Sequence, residues 1–188
     1  ASEFERAVRD IIRRSPTGII LDLRSNPGGF LDTAIGVASE WIPDGIIVRE
    51  RTGAGQETAH ETRGRHRLSG IPTMVLIDKG SASAAEIVAG ALSDHAAARI
   101  VGEKSYGKGS VQDFEVLPDG SALKLTVAKW YTPKNRGIDH EGITPDILIS
   151  EMFTPRQSVS STSSTPSLNP EDYRDLGREK AVELLQSK

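Results

Sequence analysis

The stretch TMVLIDKGSASAAEIVAGALSDHAAARIVGEKSYGKGSVQ, residues 73–112, decides how the chain is read. Met74 to Ile77 is an apolar run ended by Asp78-Lys79-Gly80, the pattern of a short buried strand followed by a turn. Ser81-Ala82-Ser83 leads into small and apolar residues as far as Leu92, which read as a buried helix. Arg99 to Gly102 is another short strand, and Lys108 lies between two glycines beyond it. A serine therefore opens a helix directly after a strand, and a lysine follows 25 positions later, after the next strand.

The alternation continues outward. Ser2 to Arg14 places Phe4, Ala7, Val8, Ile11 and Ile12 at helical spacing, with Ser2 and Glu5 as a capping pair. Gly18 to Arg24 is a mostly apolar strand, followed by Ser25-Asn26-Pro27-Gly28-Gly29 and a helix from Leu31 to Trp41. N–H groups at a helix N-terminus, with glycines beside them, can face a negative charge. A Gly-Gly pair taken alone is more often a plain turn. Ile46 to Arg51 is a further strand, and the polar segment Thr52 to Ser69 reads as a long exposed loop or a short hairpin. His60 and His66 are expected to face water there, without a third ligand for a metal. Asp113 to Leu117 and Ala122 to Tyr131 flank Pro118-Asp119-Gly120-Ser121 as a hairpin, and Pro145 to Ser150 is a last strand.

Residues 1–150 thus read as one core. Strands alternate with helices as far as residue 102 and strands dominate afterwards, which predicts an α/β fold with partly parallel strands and helices covering the sheet. Residues 151–168 are rich in Ser, Thr and Pro and read as a linker. Residues 169–188 read as a C-terminal helix, capped by Asn169 with Pro170 at its first position.

Composition narrows the function classes. A net charge of −3 gives no reason to expect a nucleic-acid or anionic-membrane partner. No apolar run approaches the roughly 20 residues of a transmembrane segment, and no signal peptide stands at Ala1, so the chain reads as a mature form or a fragment. The absence of cysteine excludes disulfides and thiol catalysis.

Several chemistries compete for the central stretch. Gly102 to Gly109 nearly matches a phosphate-binding loop, but Gly109 stands where a Ser or Thr must reach magnesium, and Ser110-Val-Gln-Asp alternates like a strand. Ser105-Tyr-Gly-Lys108 resembles a penicillin-binding element, yet that element must be helical and Gly107 opposes it. His95 and His140 are the candidates for a Ser-His-Asp triad, and nothing ties either to a serine. A Ser-Lys dyad remains. A serine hydroxyl needs a base to become a nucleophile, and a lysine serves only when neutral, a state that burial favours. Ser83 stands at a strand-to-helix turn among alanines, with the Ala84 N–H at a helix start and Gly28 and Gly29 available as further oxyanion donors. Ser83-Ala-Ala-Glu86 reads equally well as a capping box and Lys108 as an exposed loop lysine, so the residues alone leave both readings open.

LDLRSNPGG at 21–29, KGSASAAEIVAGAL at 79–92, VGEKSYGKGSVQ at 101–112, and DGSALKLTVAKWYTP with GITPDI within 119–147 together resemble the C-terminal processing peptidases, or tail-specific proteases. The resemblance runs in order from about Gly18 to Ile149. It implies a crotonase-like, ClpP-like α/β spiral and a serine endopeptidase acting through an acyl-enzyme. It assigns Ser83 as nucleophile, Lys108 as general base and Gln112, four positions on, as the group that orients the lysine amine. The oxyanion donors would be the N–H groups of Ala84 and of Gly28 or Gly29. Implied substrates are proteins with unstructured, often apolar C-terminal tails, cut without metal, ATP or other cofactor. Implied locations are the bacterial periplasm or envelope, or the thylakoid lumen. The chain departs from the family pattern in carrying Ala85 where a serine is common, and in lacking a recognisable PDZ domain and first core strand. The full-length chain is expected to carry that PDZ domain. The rival reading is a non-catalytic module of the same fold that binds peptide or an apolar ligand.

Overall fold

A computed structural model describes residues 3–155 and 170–187. In chain order the elements are α1 (Glu3–Arg14), β1 (Ile19–Asp22), α2 (Leu31–Ala38), β2 (Ile46–Thr52), β3 (Glu57–Glu61), β4 (Thr73–Ile77) and α3 (Ala84–Asp94). Then come β5 (Arg99–Gly102), β6 (Ser110–Val116), β7 (Ala122–Tyr131), β8 (Ile147–Leu148), β9 (Phe153–Pro155), β10 (Tyr173–Asp175) and α4 (Leu176–Gln186).

The continuous apolar run of β4 has a direct cause. It is a central strand of a parallel sheet ordered β1-β4-β5-β8, and both faces of that sheet are covered. Side chains alternate between the faces. Val75 and Ile77 join Ile100 and the inward residues of α2 and α3 in the larger core, whereas Met74, Leu76 and Val101 pack with Ala181, Leu184 and Leu185 of α4. The α/β expectation is met, with α4 as the second cover.

A second sheet, ordered β3-β2-β7-β6, is antiparallel throughout. The Thr52–Ser69 segment is partly the short hairpin β2–β3. Its histidines do not simply face water. His60 is half-buried with Nε2 3.1 Å from Glu50 Oε2, and His66 is half-buried with Nδ1 2.7 Å from the Ser39 carbonyl. Cross-strand pairing and a turn in which a carbonyl needed a partner draw both rings inward. The far half of the β6–β7 hairpin leaves Phe114, Val116, Leu123 and Leu125 exposed.

Two boundaries differ from the sequence reading. Helix α2 stops at Ala38, where Ser39 Oγ bonds back to the Ile35 carbonyl, and Trp41 turns inward to donate from Nε1 to Thr73 Oγ1 at 2.9 Å. The C-terminal helix starts at Leu176, not Pro170. Asp175 is its cap, accepting from the Arg178 N–H at 2.9 Å, because Tyr173–Asp175 is paired antiparallel with Phe153–Pro155. Tertiary pairing has overridden the local helix signal, and it takes the start of the expected linker into a strand. The rest of that linker, and the caps read at Ser2 and Asn169, lie outside the described residues.

Candidate active site

β1, β4 and β5 are neighbours and run parallel, so their C-terminal ends open on the same edge of the sheet. Ligand sites of open α/β sheets form at that edge. The loop after β1 carries Gly28 and Gly29, the loop after β4 carries Ser83, and the loop after β5 carries Lys108. The three candidate segments, dispersed over 80 residues, are thus brought together by strand order alone.

Main-chain and side-chain hydrogen bonds then tie the loops to one another. Ala82 N–H donates to the Asn26 carbonyl (2.9 Å), Ser25 N–H to Asp78 Oδ1 (2.8 Å), Ser81 Oγ to the Leu23 carbonyl (2.8 Å) and Tyr106 N–H to the Ser81 carbonyl (3.0 Å). Gly28 is pressed directly onto the turn that carries Ser83. A Cβ built there would lie 2.7 Å from Ser83 Cβ and 2.8 Å from Ala84 N, and its φ is +103°. Only glycine suits both conditions.

Ser83 is 8% exposed and has φ 56°, ψ −119°, a conformation that costs a non-glycine residue of order 1–3 kcal/mol. Such strain at a strand-to-helix turn is how a nucleophilic serine is presented to a cleft. The capping box exists in part: Glu86 Oε2 accepts from Ser83 N–H at 2.8 Å, and Glu86 N–H donates to the Ser83 carbonyl at 2.9 Å.

Several main-chain N–H groups of these loops lack a partner among the described residues, those of Gly29, Phe30, Lys79, Ala84, Lys104 and Gly109. From Leu23 to Gly28 and from Gly80 to Ser83 every main-chain N–H has a partner, Gly28 donating to Asn26 Oδ1 at 2.9 Å. The N–H groups of Gly29 and Ala84 have no partner within the described residues. Both residues line one cavity of about 120 Å³ whose other walls include Leu23, Ala34, Val37, Ala85 and Val88. Phe30, 82% exposed, borders it.

The side chains of Lys108 and Gln112 are exposed. Among the described residues no hydrogen bond joins Lys108 Nζ to Ser83 or Gln112. Gln112 Nε2 donates instead to Ser110 Oγ (3.0 Å) and Thr126 Oγ1 (2.7 Å). The main chain of Lys108, by contrast, is fixed: its N–H donates to Glu86 Oε2 at 2.8 Å, the same atom that holds Ser83 N–H. Glu86 therefore touches both halves of the candidate dyad, a role the sequence signalled only as a helix cap. Asn26, which engages Gly28 and leaves Gly29 free, showed no sequence signal beyond its turn propensity.

The competing histidines are accounted for. His95 closes α3, with Nε2 2.8 Å from the Ile46 carbonyl, and His140 is exposed with Asp139 as neighbour. The segment from Glu103 to Gly109 forms no helix, which removes the phosphate-loop and penicillin-binding geometries.

Residues 1–149 match peptidase family S41. A carboxy-terminal-processing protease of Bartonella bacilliformis is 45% identical over 158 residues, covering 80% of this chain and 36% of that protein. A carboxyl-terminal-processing protease of Synechocystis is 39% identical over 149 residues, covering 79% and 35%. Among solved structures, a photosystem II D1 C-terminal processing protease superposes with a TM-score of 0.74 at 33% identity, over 78% of this chain and 38% of that one. A peptidase-like structure from Parabacteroides merdae shares the fold alone, with a TM-score of 0.71 at 18% identity over 96% and 57%. The chain spans about a third of the curated relatives it matches. With the family matching almost the whole of the folded core, and the serine elbow, lysine loop and glycine loop all inside that match, the chain belongs to peptidase family S41.

Proposed function

We propose that this chain is the catalytic core of a serine endopeptidase that cuts proteins near unstructured, apolar C-terminal tails, with Ser83 as nucleophile and Lys108 as general base. The observation that carries the reading is the strained Ser83, followed by Ala84, which lines one apolar cavity with Gly29, the N–H groups of both being unpartnered among the described residues. Ser83 Oγ attacks the scissile carbonyl while its proton passes to Lys108 Nζ. The oxyanion is held by the N–H groups of Ala84 and Gly29, with Gly28 shaping the approach. The C–N bond then breaks and the leaving amine takes the proton from Lys108. Water, deprotonated by the same lysine, attacks the acyl ester and regenerates Ser83.

No step requires a metal or an organic cofactor. A cavity of about 120 Å³ walled by Leu, Val and Ala suits a small apolar side chain next to the scissile bond. A substrate segment lying in the cleft covers Lys108, which supplies the desolvation a neutral lysine needs. Gln112 follows the lysine on the same segment and orients its amine in that closed arrangement. The relatives are about three times as long as the matched region, which leaves room for a further domain, and the family resemblance implies one of PDZ type that captures substrate. Relatives named as chloroplastic and bacterial processing proteases support an extracytoplasmic location.

The test is cleavage of an unfolded protein with an apolar C-terminus, and labelling by a fluorophosphonate, with the parent, Ser83→Ala and Lys108→Ala. The reading expects each variant to stay folded and to lose at least about 10³-fold in kcat. Cleavage that survives Ser83→Ala, or a folded full-length parent that neither cuts nor labels, overturns it and favours a peptide-binding module.

A further inference from the structure

Glu86 is a carboxylate that the proposed mechanism does not use, and it is completely buried, with 0% exposure. Its neighbours on α3, Ala84, Ala85, Ile87, Val88 and Ala89, are small or apolar. A charge in such a place is tolerated only when donors surround it. Four do. Oε1 accepts from Ser105 Oγ and from Gly107 N–H, each at 2.6 Å, and Oε2 accepts from Ser83 N–H and from Lys108 N–H, each at 2.8 Å. No lysine, arginine or histidine pairs with it among the described residues. A helix cap needs only the first of the Oε2 bonds. The remaining three reach across to the loop after β5.

That loop has no regular structure from Lys104 to Gly109. Ser105 N–H donates to the Ile143 carbonyl (3.1 Å) and Tyr106 N–H to the Ser81 carbonyl (3.0 Å); the next two N–H groups, Gly107 and Lys108, both go to Glu86. One carboxylate thus fixes the main chain of the nucleophile, in its strained conformation, and the main chain of the base. One oxygen atom serves both.

We infer that Glu86 is a positioning residue which sets Ser83 against Lys108, so that altering its acceptor geometry slows acylation without weakening substrate binding. The inference rests on the Ser83–Lys108 reading of the site. Glu86 is sealed away from the cleft and has no route to touching substrate, so its influence falls on the distance between Ser83 Oγ and Lys108 Nζ. A glutamine in its place keeps one acceptor oxygen and turns an NH₂ group toward donors. With the oxygen left on Ser83 and Lys108, the NH₂ faces Gly107 N–H, and the lysine loop is pushed away one residue before the base. With the opposite orientation both dyad N–H groups are repelled.

The experiment compares Glu86→Gln with Asp94→Asn in the full-length chain. Asp94 lies at the other end of α3, accepts from Arg136 and from Lys134 N–H, and is remote from Ser83, so it is the same chemical change without a role in the site. For Glu86→Gln the expected result is a kcat lowered about 10- to 100-fold, a KM within twofold of the parent, slower fluorophosphonate labelling, and a displaced pH profile of kcat/KM. For Asp94→Asn it is lower thermal stability with kcat within twofold. A folded Glu86→Gln protein with the parent's kcat and pH profile overturns the inference, as does an equal loss in Asp94→Asn. Should Glu86→Gln not fold, amide hydrogen exchange of the parent decides: Gly107 and Lys108 are expected to exchange as slowly as the interior of α3, and exchange at free-loop rates overturns the inference. A parent that neither cuts nor labels yet protects both amides refutes the peptidase reading and leaves Glu86 as a structural clamp.

Discussion

Gly28→Ala is the most informative single change, because one methyl group meets two separate obstacles. The residue sits at φ +103°, a region open to glycine, and forcing alanine into it costs about 1–3 kcal/mol. The added Cβ also lies 2.7 Å from Ser83 Cβ and 2.8 Å from both the Ala82 carbonyl oxygen and Ala84 N, so the loop after β1 must move off the elbow. Overpacking of this kind costs a further 1–3 kcal/mol or so. A combined loss of about 3 kcal/mol lowers Tm by roughly 10 °C in a domain of this size. The shift also separates the Gly29 and Ala84 N–H groups, the proposed oxyanion donors, and misplacing one such donor lowers kcat by about 10²- to 10³-fold. Urea unfolding, calorimetry and peptide cleavage measure the three quantities. Gly29→Ala is the comparison. Its Cβ position meets nothing within 4 Å, and the variant should lose less than about 0.5 kcal/mol of stability. A Gly28→Ala protein with unchanged Tm and kcat refutes the packing of the glycine loop on Ser83, and equal destabilisation by Gly29→Ala refutes the steric argument.

Ser83→Gly removes the proposed nucleophile and also the strain at φ 56°, so it should abolish cleavage while raising stability by about 1 kcal/mol over Ser83→Ala; a glycine variant less stable than the alanine one in urea unfolding sinks the claim of a strained elbow. Glu40 is buried and held by Arg67, which donates from Nε at 2.9 Å and from Nη2 and also bridges to Glu5; the side-chain hydrogen bonds from Arg67 hold the Glu40 carboxyl below its ordinary value of 4.5. A carboxyl depressed on folding stabilises the protein above its unfolded value and loses that contribution as pH falls through the folded one. The parent should therefore lose stability progressively below about pH 4.5, and Arg67→Met should be about 3 kcal/mol less stable at pH 7 with a shallower acid loss. Parallel stability–pH curves for the two proteins would contradict the assignment.

The parallel sheet was readable because its physics is local and repetitive. Apolar runs such as Met74–Ile77, bounded by Asp-Lys-Gly and followed by small helical residues, have few other structures open to them. Ser83, Lys108, Gly28 and Gly29 could be named as candidates from residue type and place, and strand order brings their loops together. What could not be read was decided by distant partners. Tyr173–Asp175 became a strand because Phe153–Pro155 lies beside it, and the helix cap moved to Asp175, whose carboxylate also receives a two-fold hydrogen bond from Arg24 beside β1. His60 and His66 were drawn inward by Glu50 and the Ser39 carbonyl, neither of them visible from the local polar composition.

The residues that shape the site share one property with those that merely end helices and make turns. A loop that offers free N–H groups to an oxyanion must be irregular, and an irregular main chain near a core needs partners for its other N–H groups. Asp78 takes those of Ser25 and Gly80, Asn26 takes that of Gly28, and Glu86 takes those of Ser83, Gly107 and Lys108. Asp, Asn and Glu do this work at any turn or cap, so in sequence they register only as punctuation. Their role here follows from the N–H groups of Gly29 and Ala84, which stay unpaired among the described residues. Because Glu86 acts on the serine elbow and the lysine loop through a single side chain, the two cannot be displaced independently. The hydrogen bonds that give this part of the fold its shape therefore also set the geometry in which the proposed dyad must work.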